Sequence, residues 1–291
     1  MVVTCLRWAI DSGMGIILPR IAIRSETNLL LFDQWADLGF LYDEEYLKAI
    51  LKTECPQLQI YSSTFQTNQH ILVQREPTPP WYSYRSGEYH SFITELLHSL
   101  HKYPNSTNSI AIWETQVLFS WNFTDDPILV HKTLMDAVIF SPHIRSIGQK
   151  VYQGIKDQYL GFHLRCESDW DATSYESQLT YFLEFINKYP SISSVYIAVG
   201  SKDIEEKFQK DVKNLSLSVF DKWSLVKNNS ILQNEMSLLG FDQLAAIDYL
   251  ILFNSEYFMG TGLSSFSYGI AWDRGNGTLE DCRCQLNYGI N

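Results

Sequence analysis

The sequence predicts an α/β fold with a parallel sheet, and three observations support this prediction. From residue 159 onward, short apolar runs alternate with amphipathic stretches, as strands and helices do in such a sheet. The chain also opens with a helix and then a strand, which is half of an α/β unit. Its 291 residues suffice for two domains of modest size, and the change of pattern predicts a boundary near residue 150, between 1–150 and 151–291.

The first half shows fewer regular elements. Apolar residues on one face of 2–12 predict a helix, and 15–21 predicts a strand that Pro19 ends. Residues 53–90 are rich in Thr, Ser, Pro and aromatic residues, which predicts a surface loop or lid. The other predicted elements are a helix at 43–51, a helix at 91–102, a strand at 110–120 and a helical stretch at 128–152.

The second half is regular throughout. Runs of apolar and aromatic residues predict strands at 159–165, 194–200, 216–220 and 257–260. Amphipathic stretches predict helices at 174–187, 201–214, 230–239, 241–254 and from residue 264 onward. Such regular alternation is typical of a Rossmann-like domain.

Composition excludes several classes of function. The formal net charge is -11 and the pI about 5.1, whereas nucleic-acid binders carry a basic face, so we expect no nucleic-acid partner. No run of about 18 uncharged apolar residues is present, and the sequence therefore predicts no transmembrane helix. Aromatic residues make up 14%, which suits a carbohydrate-binding or nucleoside-binding protein and suits a large aromatic core equally well.

The cysteines, the N-terminus and the N-glycosylation sequons indicate the cellular compartment in which the protein functions. Five scattered cysteines define no disulfide framework, and Cys282-x-Cys284 is too short for a zinc knuckle, so ordinary or partly paired cysteines are expected. The N-terminus lacks the long apolar centre of a signal peptide, which favours the cytoplasm. Against this, five sequons favour a secretory lumen: Asn105, Asn122, Asn214, Asn228 and Asn276.

The most informative segment is 161–170, Gly-Phe-His-Leu-Arg-Cys-Glu-Ser-Asp-Trp. It begins within an apolar strand and places polar side chains just beyond the end of that strand, where ligands bind in open α/β sheets. Arg165 offers a permanently charged five-donor fork that suits phosphate. The segment therefore predicts a phosphate-bearing ligand.

A second segment is 260–267, Gly-Thr-Gly-Leu-Ser-Ser-Phe-Ser, between a strand and a helix. Two glycines allow close approach of the backbone, and Ser264 and Ser265 lie where a helix start leaves free N–H groups. The alternative is an ordinary serine N-cap. Together with Arg165, the segment predicts a phosphate site shared by two strand ends.

Asp248 is the third candidate, because it falls on or beside the apolar stripe of the helix at 241–254. A buried carboxylate needs a partner. Two adjacent donors, such as the N1–H and amine of a guanine, would satisfy both oxygens. A buried pair with Arg165 or a backbone cap would do so equally well.

Other candidates are ambiguous. Asp169 and Asp171 are two residues apart and form a short Asp-x-Asp that could share a divalent cation, or a solvated turn. His163 could act as a base, but within an apolar strand a satisfied core histidine is more common. The sequence contains no serine-hydrolase, zincin or P-loop motif.

These segments resemble the protein O-fucosyltransferase family. The run from His163 to Trp170 is similar to the His-Leu-Arg-x-x-Ser-Asp-Trp signature of that family. Asp248-Tyr-Leu-Ile-Leu, Tyr257-Phe-Met-Gly and 263–267 resemble its second donor-site region in order and spacing. Ile17-Leu-Pro-Arg-Ile and Phe32-Asp look like its early acceptor-side region.

The resemblance implies a GT-B fold, with two Rossmann-like domains whose parallel sheets face a cleft. It implies inverting transfer of fucose from GDP-fucose to a hydroxyl of a polypeptide or small acceptor, with no cofactor and no obligatory metal. In this chain, Arg165 would hold the β-phosphate, His163 and Asp248 would contact the guanosine, and Asp169 would orient the Arg165 loop or the ligand. The remaining implied contacts to the diphosphate and nucleoside are Ser264, Ser265 and Phe266.

One departure from the family pattern concerns the start of the chain. The family begins with a strand and a Gly-x-x-Asn-Gln-like loop before its first helix, whereas residues 1–10 already look like that helix. This departure leaves an inactive relative that binds a GDP-sugar as one alternative. The Asp169-x-Asp171 motif leaves a second, a metal-dependent glycosyltransferase.

Overall fold

A computed structural model describes residues 2–25, 34–65, 69–72, 94, 97–98, 110–113, 128–167, 169–276 and 279–288. The chain divides into two compact units. The first unit comprises Met1–Ile21 and Ala36–Ile139, and the second comprises Ala22–Trp35 and Phe140–Asn291. The longer segment of the second unit starts at Phe140, and the helix that follows, Pro142–Tyr152, packs against the helix Phe241–Phe253 of the same unit.

The first 137 residues contain short strands and longer helices. In chain order, the elements are α1 (Val2–Ser12), β1 (Ile16–Ile17), β2 (Ile21–Ala22), β3 (Trp35–Ala36), a 3₁₀ turn (Leu38–Phe40), α2 (Glu44–Glu54), β4 (Ile60–Tyr61), β5 (Gln69–Leu72), β6 (Ile110–Trp113) and α3 (Ile128–Ala137). Strand β1 pairs with β4 and β5 pairs with β6, both in parallel.

The elements of the first unit follow from local sequence. Helix α1 buries Leu6 and Ala9 on the predicted face. Helix α2 begins after Asp43, whose side chain accepts a hydrogen bond from the backbone N–H of Tyr46 at 3.0 Å. Their apolar faces form one core, which includes Leu38, Leu47 and Leu51.

Several predicted elements of this half are corrected. The strand at 15–21 is two short strands, because Pro19 interrupts the ladder between them. The prediction of loop or lid throughout 53–90 is wrong at β4 and β5. The helical stretch 128–152 is two helices, since the Ser141 side chain caps a new start and Pro142 follows. The predicted loop at 73–90, most of the predicted helix at 91–102, and residues 114–120 of the predicted strand at 110–120 lie outside the described residues.

The second unit is an α/β unit around a five-stranded parallel sheet with the strand order β11-β10-β7-β8-β9. Its elements are α4 (Pro142–Tyr152), β7 (Leu160–His163), α5 (Tyr175–Lys188), β8 (Ser194–Ala198), α6 (Lys202–Asp211), β9 (Ser218–Phe220), α7 (Lys222–Val226), α8 (Ser230–Ser237), α9 (Phe241–Phe253), β10 (Tyr257–Thr261), α10 (Ser265–Arg274) and β11 (Cys284–Asn287). Helix α7 and strand β11 were not predicted, because five and four residues are too few for a clear period.

Strand register decides which side chains form the core. Leu160 pairs with Val195 and Phe162 with Ile197, so these alternate residues share one face of the sheet. Helices α5 and α6 cover that face, and the ring of Phe162 stacks on that of Phe182 at 5.1 Å. On the opposite face, α9 packs over β7 and β8.

Arg274, in the last turn of α10, joins three segments of the second unit. Its guanidinium donates to the carbonyl oxygens of Phe253, Ser255 and Glu256, at 2.6, 2.7 and 3.1 Å, and to that of Cys282 at 2.9 Å. These bonds satisfy carbonyls at the end of α9 and fix the chain that leads into β11. In that chain Cys282 is bonded to Cys284, so the two are not ordinary thiols.

In the part of the chain that the structure describes, no helix has the length and apolar character needed to cross a membrane.

Replacing Phe182 by Ala is expected to lower the free energy of unfolding by about 3–5 kcal/mol, because this fully buried ring leaves a cavity against Phe162 and Phe208. Leu238→Ala is the control, since this apolar side chain is 87% exposed and its loss should cost less than about 1 kcal/mol. Urea denaturation would measure both. Equal losses in the two variants would contradict the placement of the core.

Candidate active site

The order of the strands marks one edge of the sheet in the second unit. From β7 the chain proceeds outward to β8 and β9, and then returns to place β10 on the other side of β7. The order of the strands therefore reverses between β7 and β10. In open parallel sheets, ligands bind beyond the carboxyl ends of the strands at such a reversal.

His163, the last residue of β7, lies buried at this edge. Its Nδ1 is 2.6 Å from the Oγ of Ser267, and its ring lies 4.7 Å from that of Phe266. Phe266, a predicted site residue, thus lies beside His163, whereas Ser267 was not predicted as a site residue. Its signal was its place in the Leu-Ser-Ser-Phe-Ser run, three residues after the predicted serine pair.

The contact between His163 and Ser267 depends on a glycine in β10. A Cβ on Gly260 would lie 2.4 Å from the Oγ of Ser267, so a larger residue would displace that hydroxyl. Burial lowers the pKa of His163 from its usual 6.5 to about 4, while nearby Glu167 raises it and Arg165 lowers it. His163 is therefore neutral at physiological pH, and it offers a hydrogen bond without a charge.

Arg165 lies two residues beyond β7 and is held by acidic side chains. Its Nη1 donates to Glu167, and its Nη2 donates to both carboxylate oxygens of Asp169 at 2.8 Å. The guanidinium also lies over the ring of Trp170, 5.3 Å from the centroid. Asp169 therefore contacts Arg165 directly, and its role in orienting the loop or the ligand stays a prediction.

The backbone around Arg165 is fixed from helix α5. The side chain of Gln178 accepts a hydrogen bond from the N–H of Arg165 at 3.0 Å and donates to the C=O of the same residue at 2.7 Å. Gln178 is 3% exposed and also donates to the C=O of Thr173. A buried side-chain amide thus replaces the ladder bonds that end with β7.

The start of α10 faces the same edge of the sheet. Ser264 occupies the N-cap position and is buried, but its side chain makes no capping hydrogen bond in the described structure. The ordinary serine N-cap considered from the sequence is therefore not what the structure shows. Ser265 is exposed on the first turn. The first N–H groups of α10 and the helix dipole suit an anion such as phosphate.

Asp248 lies in α9 and finds partners that the sequence did not predict. Its Oδ1 accepts a hydrogen bond from the hydroxyl of Tyr196 at 2.5 Å, and its Oδ2 lies 2.7 Å from the Nζ of Lys222. It pairs neither with Arg165 nor with a backbone cap. Burial raises the pKa of Asp248, while the ammonium of Lys222 and the hydroxyl of Tyr196 oppose that shift.

The two carboxylates of the Asp-x-Asp motif have different surroundings. Asp169 directs both oxygens at Arg165, whereas Asp171 is exposed. Within the described ranges, no group of three or more His, Cys, Asp or Glu side chains could hold a metal ion.

A model of the GDP-fucose protein O-fucosyltransferase family matches residues 39–276. No curated protein matches the chain by sequence. Among solved structures, the chain is similar to POFUT1 in complex with GDP and to POFUT1 in complex with GDP-fucose, each with a TM-score of 0.57 and 12% identity over 99% of this chain and 93% of the other. The fucosyltransferase NodZ from Bradyrhizobium matches with a TM-score of 0.48 and 13% identity over 92% and 85%. The POFUT1 matches show the fold, and they confirm the predicted α/β class of GT-B type.

Burial of His163 makes stability depend on pH. Its pKa near 4 in the folded chain lies below the unfolded value of about 6.5, so protonation favours unfolding as the pH falls between these values. Between pH 7 and pH 5, the wild type should lose about 2 kcal/mol more of unfolding free energy than His163→Asn. Exposed His143→Asn is the control and should follow the wild type. Urea denaturation at both pH values would measure the difference, and parallel losses in all three proteins would refute the assignment.

Proposed function

This chain belongs to the GDP-fucose protein O-fucosyltransferase family, and we propose that it transfers fucose from GDP-fucose to a hydroxyl group of a polypeptide or small acceptor. One observation carries the proposal. Arg165, beyond β7, and the open start of α10, beyond β10, lie at the edge where the strand order reverses. A cation and a helix N-terminus beside each other suit the diphosphate of a nucleotide sugar.

The proposed reaction is an inverting displacement. The acceptor oxygen forms a bond to the anomeric carbon of fucose, and the bond from that carbon to the β-phosphate oxygen breaks. The electron pair of the broken bond leaves with GDP, and the acceptor hydroxyl releases its proton to water. Arg165 stabilises the negative charge that develops on the β-phosphate, so the reaction requires no obligatory metal.

The other site residues bind the donor in this proposal. Phe266 and the neutral ring of His163 provide an apolar, uncharged wall for the nucleoside. Asp248 contacts guanine, because a carboxylate has about four acceptor positions and can bind a ligand beside Tyr196 and Lys222. The diphosphate is bound by the first turn of α10, through Ser264 and Ser265. Asp169 orients the loop that carries Arg165.

We place this activity in the lumen of the secretory pathway. Of the sequon asparagines, Asn214 and Asn228 are exposed, as an acceptor for N-glycosylation must be. The disulfide between Cys282 and Cys284 is of a kind that persists in oxidising compartments.

Calorimetric titration of the purified chain tests the donor site directly. We expect GDP to bind in the presence of EDTA, with an affinity that Mn²⁺ leaves unchanged, and UDP to bind at least about tenfold more weakly because uracil lacks the donor pair of guanine. Equal binding of UDP, or binding of GDP only with Mn²⁺, would contradict the proposed site. Binding of GDP without turnover of GDP-fucose would indicate the inactive relative.

Replacing Arg165 tests the chemical step. Arg165→Ala is expected to lower kcat by about 10²–10³, the usual cost of removing a group that stabilises transition-state charge. Arg165→Lys keeps the charge but loses the fork, and it should recover only part of the rate. The control is Arg283→Ala, which removes an exposed guanidinium paired with Glu256 and should leave kcat unchanged. Unchanged turnover in Arg165→Ala, with a normal melting temperature, would exclude this role.

A further inference from the structure

Glu167 lies between the ends of two neighbouring strands. It follows β7 by four residues, and its side chain reaches the backbone beyond β8. We infer that Glu167 is the positioning residue for Arg165, and that Gly200 in turn holds Glu167 in place. The kinetic consequence of this inference rests on the proposed function, but the positioning itself does not.

Both carboxylate oxygens of Glu167 are engaged. One, Oε2, accepts a hydrogen bond from the Nη1 of Arg165 and another from the backbone N–H of Cys166 at 3.1 Å. The other, Oε1, accepts from the backbone N–H of Gly200 at 3.1 Å. The Glu167 side chain is 11% exposed and that of Arg165 18%, so the pair is largely shielded from water. Charge-assisted hydrogen bonds in such a setting fix orientation strongly.

Gly200 leaves space for this contact. A Cβ at this position would lie 2.4 Å from the Oε1 of Glu167, 2.7 Å from its Cγ and 2.9 Å from its Cδ. These atoms belong to a side chain that can rotate, so a larger residue would displace Glu167 without breaking the sheet. Gly200 therefore permits the position of the carboxylate and also supplies a hydrogen-bond donor to it.

Glu167 and Asp169 act on Arg165 in different ways. Asp169 is four residues from Arg165 in the same loop, and it holds the Nη2 end of the guanidinium. Glu167 also belongs to this loop, but its second oxygen is bonded to Gly200, which follows β8. Among the described contacts of these two carboxylates, this second bond is the one that ties the guanidinium to a neighbouring strand. We therefore assign the placement of Arg165 at the sheet edge to Glu167.

A double-variant cycle separates positioning from general stabilisation. The variants are Glu167→Ala, Gly200→Ala and the two combined, since Gly200→Ala displaces the carboxylate while leaving its charge in the protein. Glu167→Gln keeps an acceptor for the N–H of Gly200. Its rate of Arg165 modification and its kcat should lie between those of the wild type and of Glu167→Ala. The matched control is Glu176→Gln, which changes an exposed glutamate paired with Lys207.

The first measurement is the rate at which phenylglyoxal modifies Arg165, followed by mass spectrometry of the peptide that contains it. We expect each single variant to react about tenfold faster than the wild type, because the guanidinium is released from a charge-assisted bond. The combined variant should react no faster than Glu167→Ala, because both substitutions disrupt one contact. Glu176→Gln should react at the wild-type rate.

The second measurement is the rate of fucosyl transfer from GDP-fucose. We expect kcat to fall about 10–100-fold in Glu167→Ala and Gly200→Ala, while KM changes less than about threefold. The reason is that a displaced guanidinium no longer stabilises the negative charge that develops on the β-phosphate in the transition state. The same lack of additivity should appear in the combined variant.

Distinct outcomes would overturn the inference and the proposed function. Unchanged modification of Arg165 in the single variants overturns the positioning role, even where the melting temperature falls, and so do additive effects in the combined variant. A wild type that transfers no fucose overturns the proposed function. Faster, non-additive modification of Arg165 still supports the positioning role in that case.

Discussion

The reversal of strand order between β7 and β10 is the constraint on which the site depends. Because the strands are parallel, all their carboxyl ends lie at one edge, and open α/β sheets bind ligands where the strand order reverses. The loop that carries Arg165 follows β7, and the start of α10 follows β10, at this edge. The buried core of Phe162, Phe182 and Phe208 holds β7 rigid beneath the loop, so the position of Arg165 follows from packing as well as from its own contacts.

Electrostatics at this edge is local rather than global. The chain carries a formal net charge of -11, which by itself repels a nucleotide diphosphate. Arg165 must therefore be placed accurately, and two carboxylates with a tryptophan face fix its guanidinium. The two carboxylates together exceed the single positive charge of Arg165, so the helix dipole of α10 is needed as an uncharged source of attraction for an anion.

Two buried polar groups on the same face of the sheet are satisfied by different kinds of partner. Burial keeps His163 neutral and bonded to Ser267, which removes a proton-dependent charge from the edge near neutral pH. Burial also disfavours the charged form of Asp248, but this carboxylate has an ammonium partner in Lys222 and a hydroxyl partner in Tyr196. Each group is satisfied by its own partners, which accounts for polar residues within a largely apolar layer.

The sequence by itself determined the α/β class, most elements of the second unit and the two segments that supply the site. These features are local: strand periodicity, a polar run after a buried strand, and glycines and serines before a helix all act within about ten residues. The cue for Asp248 was equally local, since a carboxylate on an apolar stripe must find a partner. The tertiary structure alone decided which partners these residues have.

Ser267 is 104 residues along the chain from His163, Tyr196 is 52 from Asp248, and Gly200 is 33 from Glu167. Local periodicity in the sequence does not encode contacts between residues so far apart along the chain. Strand order and register bring these residues together, and both are set by the packing of the whole unit.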